Sequence, residues 1–127
     1  MNSSNTINMA SKLTRLSLIF ITVLLLFAGC RKKDKYDEDD LVGSWSTSTW
    51  SYVFNSDHSG SRTRGIVTQN YTWTLSDDEL ELRVTQYEES SGEITTYVTF
   101  VLKSLSGSKM EAYEKNDPDK STITFTR

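Results

Sequence analysis

The stretch YTWTLSDDELELRVT, residues 71–85, decides the fold. Tyr71, Trp73 and Leu75 alternate with Thr72 and Thr74. After Ser76-Asp77-Asp78 the alternation resumes, with Leu80, Leu82 and Val84 against Glu79, Glu81, Arg83 and Thr85. Period two with aromatic and β-branched residues is the pattern of a half-buried strand. The polar triplet between the two halves supplies turn residues, so the stretch predicts a β-hairpin.

The same pattern extends in both directions. WSYVFN places Trp50, Tyr52 and Phe54 on one face; ITTYVTFVLK aligns Ile94, Val98, Phe100 and Leu102; TITFTR aligns Ile123 and Phe125. Turn chemistry separates the runs at residues 55–60, 76–78, 88–93, 105–108 and 116–120. Strands are predicted over 44–49, 50–56, 60–66, 70–76, 79–86, 94–104, 109–115 and 121–127, the first two nearly continuous. No stretch after Leu41 carries a helical period. Sequential strands joined by short loops imply an antiparallel meander. Closure into a small up-and-down barrel of about eight strands hides the sheet edges better than a sandwich of the same strands. The fold class expected is therefore all-β.

The N-terminal third reads differently. Residues 1–15 are polar and include Lys12 and Arg15, and Leu16–Ala28 is a run of 13 mostly apolar residues. A membrane-spanning helix needs about 20. The run has the length of a signal-peptide core, and Met9 offers a second start with the same pattern. It ends in Phe27-Ala28-Gly29-Cys30, which holds the only cysteine. A lone cysteine excludes an internal disulfide. Small residues before it let an extended backbone enter a peptidase cleft. Next, Arg31–Asp40 has nine charged residues in ten. Such a segment cannot bury apolar surface and is expected to be a solvated, disordered tether. The expected organisation is residues 1–29 as signal peptide, 30–40 as anchor and tether, and 41–127 as the barrel domain.

Residues 27–30 resemble the lipobox of bacterial lipoproteins, although that family most often has Leu where Phe27 stands. The resemblance implies that Cys30 takes a diacylglycerol and becomes the mature N-terminus. An uncleaved signal anchor with a structural cysteine is the competing reading. Arg31, in the place where Asp retains such proteins at the inner membrane, implies the outer membrane, on its periplasmic side or at the cell surface. The partner implied is the membrane, through the lipid.

Leu41-Val42-Gly43-Ser44-Trp45 resembles the Gly-x-Trp signature that opens the first strand of lipocalins and related calycins. FNSDHSG and YTWTLSDDELEL are similar to stretches of small lipocalin-like domains in Bacteroidetes lipoproteins. The likeness spans Leu41–Arg127. It implies that Gly43 permits close backbone approach, that Trp45 closes one end of the barrel, and that a late basic residue, here Arg127, lies over the indole. It also implies a small hydrophobic or amphipathic ligand, with Trp50, Tyr52, Tyr71 and Trp73 as candidate lining. The strands are short, and a barrel of this size is also filled by its own side chains. Those four aromatics would then be core, and the protein a structural, protein-interaction or inhibitor lipoprotein.

Catalytic signatures are not found. His58, the sole histidine, sits in a polar turn. Residues 55–60 look like half of a calcium loop, but Ile66 stands where the bidentate carboxylate belongs. There is no nucleophile elbow, zinc helix or phosphate-cradling loop. No enzyme activity, cofactor or metal is expected. From Cys30 on, 12 basic side chains face 17 acidic ones, which argues against nucleic acid. Arg62 and Arg64, on either side of Thr63, are of a type that faces an anion or a carboxylate. They read here as solvated edge charges.

Overall fold

The structure, a computed structural model, describes residues 34–127. The expected signal peptide, Cys30 and Arg31–Lys33 lie outside the described residues. Among the described residues one short helix, α1 (Glu38–Leu41), precedes eight strands: β1 (Gly43–Ser46), β2 (Ser51–Phe54), β3 (Ser59–Arg64), β4 (Val67–Ser76), β5 (Glu79–Glu88), β6 (Gly92–Leu105), β7 (Lys109–Glu114) and β8 (Ile123–Thr126). Each strand pairs antiparallel with the next, and β1 returns to β8, so the sheet is a closed up-and-down barrel. The barrel expected from the alternation is present. The closing seam is thin, with Ser46 opposite Thr126 as its one registered pair.

The hairpin that decides the fold forms with Leu75 opposite Leu80, Trp73 opposite Leu82 and Tyr71 opposite Val84. Their common face points inward. Residues 44–56 are two strands rather than one bent strand. The Thr47 hydroxyl accepts from the backbone N–H groups of Thr49 and Trp50 at 3.2 and 2.9 Å, which builds a turn between them.

Inward side chains from all eight strands except β3 meet in one core: Trp45, Tyr52, Phe54, Tyr71, Trp73, Leu75, Leu80, Leu82, Val84, Phe100, Leu102, Met110, Ala112 and Phe125, with Leu41 from α1. All are 0–6% exposed. β3 contributes Gly60 instead, opposite Phe54 on one side and Tyr71 on the other. The Tyr71 ring lies over this glycine, and its hydroxyl donates to the Val53 carbonyl at 2.6 Å. A side chain at residue 60 would collide with both.

The connections alternate between two ends. The turns after β2, β4 and β6 share one end with α1 and Arg127, and those after β1, β3, β5 and β7 form the other. The sequence reading ended the tether at Asp40, but the chain joins the barrel from Asp34. Asp34 accepts from the Asp77 backbone N–H at 3.3 Å, and Tyr36 packs against the core. The Asp37 side chain caps α1 by accepting from the Asp39 N–H at 3.0 Å. Composition misleads here because Tyr36 and Leu41 supply apolar contacts while the acidic residues cap the helix or face water.

Candidate functional site

The two ends of the barrel differ in chemistry. At the α1 end Gly43, Trp45 and Arg127 meet. The Arg127 guanidinium carbon lies 4.3 Å from the centre of the Trp45 ring. Its Nη2 donates to the carbonyls of Asp40 and Val42 at 2.7 and 2.8 Å. The Trp45 indole N–H donates to the Leu41 carbonyl at 2.7 Å. Gly43 has φ +130°, and a Cβ there would press on the guanidinium at 3.2–3.5 Å. His58, from the turn after β2, sits beside this plug. Its Nε2 is 2.8 Å from Glu38 Oε2, and its ring meets Trp73 edge-on at 4.6 Å. Turn position alone hid these contacts, because they come from α1 and β4. This end is a stopper that ties both ends of the barrel domain to the sheet.

The four aromatics read as candidate lining divide. Tyr71 and Trp73 belong to the packed interior. Phe54 stands 5.6 Å from Tyr71 and 5.8 Å from Trp73, centre to centre, and the Trp73 N–H donates to the carbonyls of Asn55 and Ser59. Tyr52 is also buried, 5.3 Å from Phe125, but its edge borders a cleft. Burial pushes the hydroxyl pKa of both tyrosines up. The nearby Glu114 charge adds to the effect at Tyr52, and Arg62 opposes it. Trp50 alone of the four is half-exposed, at the open end.

Arg62 and Arg64 stand at the open rim, Arg62 half-buried and Arg64 exposed. They continue the inward phase of Gly60, and their guanidinium carbons lie 4.3 and 4.6 Å from the centre of the Trp50 ring. Arg62 Nε donates to Gln69 Oε1 at 2.7 Å. Two clefts meet at Trp50. One, of about 650 Å³, runs along the thin β1–β8 seam between Thr47–Thr49 and Thr122–Thr124. The other, of about 300 Å³, lies between the two arginines, Val98, Glu114 and Asn116. The signal for this site was available in the sequence. Residues 60, 62 and 64 share one strand phase, so placing Gly60 inward places both arginines inward too.

Among the described residues no three His, Cys, Asp or Glu side chains gather where they would hold a metal ion. The chain matches no protein-family model, no curated protein and no solved structure.

Proposed function

We propose that this chain is a non-enzymatic lipoprotein, held at the outer membrane by an acylated Cys30, whose lipocalin-like barrel works as a recognition module through its open end. The filled interior carries this reading. Side chains that would line a carrier's cavity instead contact one another, so binding is left to the rim. Bare apolar residues gather at that end: Ile66 and Val67 at the β3–β4 turn and Tyr87 at the end of β5. The lipobox-like residues 27–30 support the anchor, and Arg31 supports the outer membrane.

The second reading is a carrier of a small amphipathic ligand. The seam cleft of about 650 Å³ favours it, being large enough for one short chain or ring system.

The anchor is tested by membrane partitioning of Cys30→Ser. The variant is expected in the soluble fraction, and its retention on washed membranes overturns the lipoprotein reading. Native mass spectrometry of the purified chain separates the two modes of binding. Bare protein mass is expected for a rim module, and a co-purified lipid adduct moves the case to the carrier.

A further inference from the structure

We infer that the cup bounded by Trp50, Arg62, Arg64, Val98 and Glu114 binds a small organic oxyanion: a carboxylate or phosphate joined to a short apolar group. The inference rests on the open end being the working end and goes beyond it by naming the chemistry.

Two guanidiniums converge on one ring in a chain whose net charge is −3. Among the described residues neither makes an ion pair, although acidic side chains outnumber basic ones in the chain. Solvated surface arginines are ordinarily mobile. Here Trp50 holds one plane of each, and the Gln69 amide oxygen holds Arg62 through Nε. The Tyr52 hydroxyl beside Arg62 takes part of its remaining donor capacity, and a guanidinium with five N–H donors keeps others for a ligand. A fixed pair of planar donors beside a concave wall is the arrangement that grips a carboxylate or phosphate with charge-assisted hydrogen bonds.

The rest of the cup selects what the oxyanion is attached to. Val98 packs on the core and offers an apolar wall. Glu114 and Asn116 stand on the same cleft and contribute an opposite charge and a neutral polar group. They set a direction: anionic oxygens toward β3, and uncharged or donor groups toward β7. At about 300 Å³ the cup is at the small end of ligand sites and takes a single ring or short chain.

The test is calorimetric titration of the full chain in non-ionic detergent at low ionic strength. Phenyl phosphate and phenylacetate are the probes, and benzyl alcohol is the neutral control. Saturable one-to-one binding of at least one anion is expected, and the tighter of the two identifies the oxyanion. Benzyl alcohol is expected to give no saturable heat. In Arg62→Gln/Arg64→Gln the affinity should fall by more than about tenfold. In Arg83→Gln/Lys103→Gln, which removes the same charge elsewhere, it should stay within about twofold. Glu114→Gln should tighten binding.

No saturable heat with either anion overturns the inference, as does an equal loss in the two double variants. If the rim double variant does not fold, the unmodified chain decides by nuclear magnetic resonance. The Trp50 indole N–H must shift with ligand while those of Trp45 and Trp73 stay, and a uniform response of all three overturns the site. Retained membrane partitioning in Cys30→Ser would overturn the anchor and leave this result standing.

Discussion

Arg127 closes the chain upon Trp45, its guanidinium carbon 4.3 Å from the centre of the indole ring. The same group bonds the carbonyls of Asp40 and Val42, which precede β1. The last residue thus fastens the first strand, where the seam itself has one registered pair. Removing it costs a cation–π contact and leaves two carbonyls without their donor. Arg127→Ala is expected to lose about 1–3 kcal/mol in denaturant unfolding. Arg127→Lys should recover only part of this, because one ammonium does not both cover the ring and reach two carbonyls.

Gly60 is required by contact rather than by backbone angle. A Cβ there meets the Val53 carbonyl and the Tyr71 ring. Gly60→Ala is therefore expected to destabilise by about 2–3 kcal/mol, against the usual gain from replacing a strand glycine. Tyr71→Phe/Gly60→Ala should be no better, since the ring remains. Tyr71→Ala/Gly60→Ala should be less than additive, because the first change removes one of the two obstacles to the second and leaves the Val53 carbonyl. Thermal melts of these three variants and of Tyr71→Ala alone check the cycle.

The strands were legible because inward and outward residues alternate cleanly in β4 and β5, where Trp73 and Leu82 face each other across the register. The plug was legible through Gly43, Trp45 and Arg127, but the pair beside it was not. Glu38 reaches His58 across 20 positions, and no local pattern announces such a pair. The ordered entry at residues 34–40 was hidden by charge density, since Tyr36 within it and Leu41 just after it hold it down among acidic neighbours. The arginines were legible in part: exposure was expected and Arg64 is exposed, but the strand phase shared with Gly60, which turns both toward Trp50, went unused, because at a barrel mouth an inward arginine still reaches water with its head group.

Alkaline pH should unfold the barrel through its tyrosines. Burial raises the pKa of both Tyr52 and Tyr71 above the ordinary 10.0. A raised folded-state pKa means stability that is complete below 10.0 and is lost as pH climbs, because only the unfolded chain releases the protons. The loss approaches about 1.4 kcal/mol per pH unit for each tyrosine. Tyr71→Phe should flatten the slope by about one proton, read from denaturant midpoints at increasing pH. Tyrosinate absorbance from Tyr71 should appear with unfolding and not before it.

At the acid end the turns respond. The Ser59 hydroxyl and N–H hold the Asp57 carboxyl below its ordinary 3.8. The backbone N–H groups of Ser121 and Asp119 do the same for Asp117. Depressed carboxylates give stability that is present above the unfolded value and disappears as pH falls through the folded one. Asp117→Asn should therefore reduce the acid sensitivity of the melting temperature and leave its alkaline limb unchanged.

Where the chain is cut should matter more than its charge suggests. A protein beginning at Leu41 loses the Asp34–Asp77 bond, the Tyr36 contact, the capped turn of α1, the Glu38–His58 pair and one acceptor of Arg127. Most of these are exposed polar contacts, each worth under about 1 kcal/mol. The exception is Leu41, which would remain but become the terminus, with its ammonium forced beside the Trp45 indole. Beginning at Asp34 should preserve the melting temperature of the longer chain, and beginning at Leu41 should lower it by several degrees while keeping a cooperative transition. If the two truncations melt alike, α1 is an ornament on the barrel and Trp45 with Arg127 closes it unaided.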